Sequence, residues 1–348
     1  MLGKKNARNL FVVDWQHKTP DTITALFNKV DLPGYSWFFY DCLAKKYTNN
    51  SFLNRYVAYF LAAVYILKNK KKYDNIIIWQ PMIGFLLLLL PRFYYTPKII
   101  ITTILYSPSR VSKSKLRLYF LKQALKKADA LLYFSGAMAK NAKAAFPQYE
   151  KKIYATYLPI LGEVKKEILP DIDILNKPNK GSVFSGGSSD RDFETVVNAF
   201  TRTDIPVTIV CTANYVFRNP DLLTPNFTIK KAITTAEYHA LILSASVVVV
   251  ALENEYSACG QLLFTYCMKN GIPIIATDCY GTRDYILNQH NGLLVPVNDH
   301  EAILAAYYRL SREIDFRAHL IDNAKIISAK MTFDNYLHKV DYIIKQIN

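Results

Sequence analysis

Short apolar, β-branched runs recur along the chain, each followed by a stretch with apolar positions at helical spacing. That alternation predicts parallel β-structure with crossover helices. In the first half the runs predict strands at Leu10–Asp14, Asn75–Trp79, Lys98–Leu105, Ala130–Phe134 and Lys152–Tyr157. The clearest helix among them is Lys113–Ala128, KSKLRLYFLKQALKKA, with one apolar face and six lysines and arginines on the other. Gly162–Lys180 loses the apolar periodicity, carries two prolines and reads as a linker. The alternation then restarts. Strands are expected at Ser182–Ser185, Pro206–Cys211, Phe227–Lys231, Val247–Ala251 and Pro273–Thr277, and helices at Phe193–Ala199, Ala236–Ser244 and Gln261–Asn270. Three more helices follow the loop Gly292–Val295, at about Asp299–Leu310, Ile314–Lys330 and Phe333–Ile347. The pattern predicts an α/β chain of two Rossmann-like domains, residues 1–165 and 181–332, ending in a helix over 333–348.

Length agrees with two cores: 348 residues exceed the roughly 250 to 300 at which a single core stops growing. Half the residues are apolar, which excludes a disordered chain. The five cysteines, Cys42, Cys211, Cys259, Cys267 and Cys279, are odd in number and lack a CxxC pair, against both a disulfide framework and a zinc site. MLGKKNARNLFVVDW lacks the apolar core and cleavage site of a signal peptide, so a cytoplasmic location is expected. The apolar run Met82–Leu90 falls well short of the roughly 20 residues that span a bilayer. Residues 51–68, which include Asn54, Arg55 and several aromatics, suit a buried or interfacial helix.

Charge changes the picture more. Before Pro170 the chain has 27 Lys and Arg against 9 acids, a net of +18; from Pro170 onward it has 16 against 19, a net of −3. A basic half suits an anionic membrane surface, where each Lys or Arg contributes about 1 kcal/mol. Nucleic acid or a merely solvated basic face are the alternatives. No nucleic-acid motif accompanies the charge, so no nucleic-acid partner is expected.

Two segments carry candidate chemistry. In SVFSGGSSDRDFETVVNAF, Ser182–Phe200, a strand ends in a glycine-rich turn and enters an amphipathic helix with Arg191 in its first turn. Backbone N–H groups there form a phosphate site, to which Arg191 adds a charge clamp. In ALENEYSACGQLLFTYCMKNGIPIIA, Ala251–Ala276, a second strand feeds a polar turn and a helix starting near Gly260-Gln261. Two such turns on one sheet edge suit a diphosphate.

Cys259–Leu310, CGQLLFTYCMKNGIPIIATDCYGTRDYILNQHNGLLVPVNDHEAILAAYYRL, resembles the donor-binding half of GT-B bacterial polysaccharide and glycolipid glycosyltransferases. Its GQ turn, Gly-x-Pro, Gly-Thr-x-Asp-Tyr and Asn-Gly-Leu-Leu-Val-Pro occur in the order found in that superfamily, and SGGSSDRDF resembles its glycine-rich turn. The resemblance covers about Ser182–Lys330 and is only architectural before that. It implies a GT-B fold, with the two domains facing each other across a cleft and the last helix crossing back to the first. It further implies a nucleotide-sugar substrate, with no cofactor beyond it. Carried over by position, Gly187, Ser188, Arg191, Gly260 and Gln261 would contact the diphosphate, with Ser257 nearby. Ile233 lies in the loop expected at the nucleobase, and Thr212 at a strand end facing the cleft.

The departures bear on stereochemistry. Many retaining members carry two glutamates where this chain has Ala258 and Tyr266, and a histidine where it has Tyr106-Ser107. Glu253 or Glu255 could substitute for one of the glutamates. Inversion is favoured, which requires a base from the first domain. Asp14 and His17, just after the first strand, are the candidate catalytic residues, with Asp41 a third. Alternatively, Asp14 caps the following turn and His17 is a surface residue. Two DxD strings, Asp171-Ile172-Asp173 and Asp190-Arg191-Asp192, read as incidental, so no obligatory metal is expected. Tyr35–Tyr40 and Pro91–Tyr95 are aromatic clusters suited to a membrane interface, an acceptor groove or plain core. The expected activity is transfer of a hexosyl-type sugar from a UDP or GDP donor to a lipid-linked or polysaccharide acceptor at the inner face of the cell membrane. A nucleotide-sugar epimerase on the same fold and a basic nucleic-acid-binding Rossmann protein are the alternatives.

Overall fold

The runs NIII, KIII, ALLY and VVVV form four-residue strands with almost every residue buried, as a parallel sheet covered on both faces requires. The computed structural model describes residues 6–15, 27, 32–90, 97–102, 115–160 and 181–348. It divides into two units, residues 1–157 with 333–348 and residues 158–332. His17, the Pro91–Tyr95 cluster, Tyr106-Ser107, and the whole Gly162–Lys180 linker with the first DxD string lie outside the described residues.

The first unit holds a six-stranded parallel sheet of β1 (Ala7–Val13), β2 (Tyr35–Asp41), β3 (Asn75–Ile78), β4 (Lys98–Ile101), β5 (Ala130–Tyr133) and β6 (Ile153–Ala155), in the order β2-β1-β3-β4-β5-β6. Its described helices are α1 (Ser51–Asn69), α2 (Pro81–Leu88), α3 (Lys115–Lys127) and α4 (Gly136–Ala145), together with the closing helix Phe333–Ile347. The sequence pattern missed β2. YSWFFYD is aromatic at nearly every position, so it shows no period-two alternation, yet it pairs in register with β1 from Ala7↔Tyr35 to Val13↔Asp41. Phe39 meets Phe27 at 4.3 Å between ring centroids, and Tyr40 stacks on Tyr65 of α1 at 4.1 Å. The closing helix buries Phe333, Tyr336, Leu337, Val340, Ile343 and Ile344. Tyr336 reaches Trp79 at 5.4 Å and Phe134 at 6.1 Å.

The second unit repeats the plan with β7 (Val183–Gly186), α5 (Phe193–Phe200), β8 (Val207–Cys211), β9 (Phe227–Lys231), α6 (Thr235–Ser244), β10 (Val247–Val250), α7 (Gln261–Asn270), β11 (Ile274–Thr277), α8 (Tyr280–Arg283), β12 (Leu293–Val295), α9 (His300–Arg312) and α10 (Ile314–Ser328). Leu293–Val295, expected as loop, is the edge strand β12, paired with β11. The sheet order is β12-β11-β10-β7-β8-β9. The chain thus runs outward from β7 through β8 and β9, then returns to the other side of β7 as β10. Such a reversal opens a crevice beyond the carboxyl ends of β7 and β10, where open α/β sheets bind ligands. In the first unit the same reversal lies between β1 and β3. Among the described residues no helix is long and apolar enough to cross a membrane.

Candidate active site

The β7/β10 crevice is built by two turns. The first leaves β7 at Gly186-Gly187, and the Gly187 N–H donates to Val210 O of β8 at 3.1 Å. Gly187 has φ +134°, a conformation glycine reaches without a Cβ penalty. The room above it is filled by Arg191: a Cβ on Gly187 would sit 2.6 Å from Arg191 Nε and 2.7 Å from Nη2. The guanidinium folds back over the turn, Nε donating to Gly186 O at 2.9 Å and Nη1 to Ser189 O at 3.0 Å. Arg191 is buried and forms no ion pair among the described residues. Burial pulls its pKa down, while Tyr238, Cys259, Asp190 and Cys279 pull it back up. A buried cation without a carboxylate ion pair is costly, and an anionic ligand would offset that cost. Asp192 caps α5 by accepting from Thr195 N at 3.0 Å.

The second turn leaves β10 and enters α7. Gly260 is the N-cap residue with φ +99° and gives no side-chain cap, so the first N–H groups of α7 have no capping side chain. Ser257 is fully buried. Gln261 turns inward, donating from Nε2 to Ala258 O at 2.9 Å, so it braces the turn from within. The two turns are joined by Asp190, whose Oδ2 accepts from Ser257 Oγ at 3.2 Å and faces Cys259 Sγ at 3.7 Å. Asp190 adopts φ +51°, and Glu253 N donates to its carbonyl at 3.1 Å.

Of the expected donor-side residues, Gly187, Arg191, Ser257, Gly260 and Gln261 therefore converge on one crevice. Ser188 is exposed on the first turn. Thr212 is exposed immediately after β8, and Ile233 is half-buried between β9 and α6. Both lie at the same sheet edge, and among the described residues no hydrogen bond joins either to the two turns. Sequence reasoning missed three participants. Asp190 was seen only as part of a DxD string. Tyr238 of α6 lies close enough that a Cβ on Gly186 would meet its ring at 2.9 Å, and burial pushes its phenol up to about 12. Cys259, the half-buried cysteine, was read only for its thiol state. The glycine-spaced turns could have pointed to Asp190 and Cys259; Tyr238, a helix residue, had no such signal.

In the first unit, Asp14 follows β1 at the β1/β3 reversal. Its Oδ2 accepts from Tyr59 Oη at 2.8 Å and from Gln80 Nε2 at 3.0 Å, and Gln80 Nε2 also reaches Tyr59 Oη at 3.2 Å. No donor to Oδ1 occurs among the described residues. The Tyr59 phenol is pushed up by burial and by Asp14, so it stays a neutral donor. Tyr59 and Gln80 were not foreseen either. Asp41 instead closes a local turn, accepting from Leu43 N at 2.9 Å. Among the described residues no group of three or more His, Cys, Asp or Glu side chains is placed to hold a metal ion.

Residues 222–326, within the second unit, match the family described as Glycosyl transferases group 1. Solved structures share the architecture over nearly the whole chain. HepE from Anabaena in complex with UDP-glucose is 12% identical, with 98% of this chain and 99% of that one covered and a TM-score of 0.65. A glycosyltransferase from Rickettsia africae is 15% identical, covers 98% of both chains and scores 0.65. Sucrose-phosphate synthase from Thermosynechococcus elongatus is 18% identical over 97% of this chain and 88% of that one, at 0.64. The chain has the GT-B fold, and its second unit carries a glycosyl transferases group 1 segment. No curated protein matches it in sequence. At these identities the solved structures establish the fold, and the family match places the glycosyltransferase signature on the elements from β9 to α10. The β7/β10 crevice, in the unit that carries the matched segment, is the candidate functional site.

Proposed function

We propose that the enzyme transfers a hexosyl-type sugar from a nucleotide-sugar donor, of UDP or GDP type, to a lipid-linked or polysaccharide acceptor at the inner face of the cell membrane, without a metal and with inversion. The observation that carries the donor reading is the convergence of Gly187, the buried Arg191 guanidinium and the uncapped start of α7 on one crevice. The Nη2 edge of Arg191 and the N–H groups after Gly260 supply fixed positive poles for a diphosphate. As that diphosphate departs with the bond to the sugar breaking, the same poles stabilise its growing charge. HepE was crystallised with UDP-glucose, which favours a uridine donor here.

On the acceptor side Asp14 is the proposed base. Tyr59 and Gln80 fix one oxygen and leave the other to take the acceptor proton as its hydroxyl attacks the anomeric carbon from the face opposite the nucleotide. The residues at Ala258 and Tyr266 and the basic first half support inversion and a membrane-held acceptor respectively. A thermal-shift screen of UDP- and GDP-sugars tests the donor: a ligand at 100 times its Kd adds about 2.7 kcal/mol of stability. Stabilisation by one nucleotide class, lost in Arg191→Ala, is the expected result. No stabilisation by any nucleotide sugar, and no donor turnover, would sink the proposal.

A further inference from the structure

The helices α1, α2 and α3 of the first unit lie side by side, α2 between the others, with Phe85 of α2 stacked on Phe120 of α3 at 5.6 Å. Exposed along α1 are Leu53, Tyr56 and Phe60, three and then four residues apart and so on one helix face. Leu116 and Tyr119 stand out on α3 in the same way; Phe60 and Leu116 are 59% and 65% exposed. Large apolar side chains grouped on neighbouring helices mark an interaction surface.

The charge around them is of one sign. Residues 42–128 carry 16 Lys and Arg and a single acid, Asp74, which pairs with Arg8 at 3.4 Å. Lys68, Lys71 and Lys72 are exposed at the end of α1, and Lys115, Lys122 and Lys126 along α3. No acid occurs on α1, α2 or α3, so nothing on these helices neutralises the lysines.

We infer that this α1/α3 face docks on an anionic lipid bilayer, with Leu53, Tyr56, Phe60, Leu116 and Tyr119 entering the interface and the lysines contacting headgroups. Aromatic and aliphatic side chains beside lysines are what an interfacial helix needs. A nucleic-acid surface has no use for Leu53, Phe60 and Leu116 in water, so the apolar residues select lipid over duplex. The inference deepens the membrane reading proposed above by naming its surface, and it rests on that reading only for the acceptor.

The test is sedimentation of the full chain with phosphatidylglycerol-containing vesicles and with pure phosphatidylcholine vesicles. Anionic vesicles should carry the protein down, neutral ones about tenfold less or worse, and salt near 1 M should weaken binding. Phe60→Ser with Leu116→Ser, and separately Lys122→Glu with Lys126→Glu, should each lower partitioning about tenfold or more, with donor binding in solution unchanged. Variants that partition like the parent overturn the inference. So does preferential binding of duplex nucleic acid, or a parent dimer that Phe60→Ser with Leu116→Ser dissolves while no vesicle is bound. Vesicle binding by a chain that binds no nucleotide sugar would instead overturn the proposed donor and leave the surface standing.

Discussion

Asp190 Oδ2 accepts the Ser257 hydroxyl hydrogen at 3.2 Å, across 67 residues of sequence, so one carboxylate fastens the turn after β7 to the turn before α7. Because Asp190 holds φ +51°, only glycine, asparagine and aspartate fit there with little strain. Asp190→Asn keeps an acceptor and the backbone, and should unfold within about 1 kcal/mol of the parent. Asp190→Ala loses the acceptor for a buried hydroxyl and strains the turn, for a loss of about 1 to 3 kcal/mol. Denaturant unfolding of the three proteins checks this, and equal stability of the alanine variant would refute the tie.

Gly187→Ala tests the close approach of Arg191 directly. The new methyl would sit 2.6 Å from Nε and 2.7 Å from Nη2, at a φ of +134° that alanine resists. The guanidinium must leave Gly186 O or the turn must shift. If Arg191 meets the donor diphosphate, Gly187→Ala and Arg191→Ala should both weaken donor binding by about tenfold or more, the scale of one lost charge-assisted pair. Calorimetric titration of the donor measures both. Loss in Arg191→Ala alone would mean that the glycine does not set the position of the guanidinium.

What the chain discloses of this depends on whether partners are close in sequence. The two turns of the β7/β10 crevice were legible because each is a local event: SVFS followed directly by two glycines, and VVVV followed by a polar run to Gly260, each leading into a helical pattern. β2 was not, because YSWFFYD is aromatic on both faces of the strand and gives no period to read. Asp190 was visible only as an acid beside Arg191. Its partner Ser257 lies on a different strand connection, and only the return of β10 beside β7 brings them together. Tyr59 and Gln80 reach Asp14 for the same reason. α1 and the β3–α2 turn meet β1 only once the sheet order reverses.

His239 supplies a pH dependence with a definite sign. Its ring stacks on Tyr266 at 4.4 Å, with the planes 13° apart, and burial lowers its pKa from the ordinary 6.5. The folded state therefore holds the neutral imidazole to lower pH than the unfolded state does. Above pH 6.5 neither state is protonated and nothing is lost. As pH falls below 6.5, the unfolded chain takes up the proton first and stability declines until the folded pKa is passed. His239→Phe keeps the stack without the titration, so its Tm should fall less than the parent's between neutral pH and about pH 5. Parallel pH profiles for the two proteins would show that His239 carries no part of the acid sensitivity.

The base proposal makes a kinetic demand that a structural role for Asp14 does not. Asp14→Asn still offers Tyr59 and Gln80 an acceptor, so the three-residue network of Asp14, Tyr59 and Gln80 and the fold should survive. The amide cannot take the acceptor proton, and transfer should slow by about 100-fold or more, the contribution of a positioned general base. Donor affinity should not move, since Asp14 belongs to the first unit and the proposed donor contacts to the second. Tyr59→Phe removes one donor to Asp14 and keeps the carboxylate, so its effect on kcat should be several-fold rather than a hundredfold. Measuring kcat, donor Kd and the stereochemistry of the product for both variants separates the cases. If Asp14→Asn transfers at nearly the parent rate, the carboxylate is structural and the base lies elsewhere; if transfer collapses with donor affinity intact, Asp14 handles the proton.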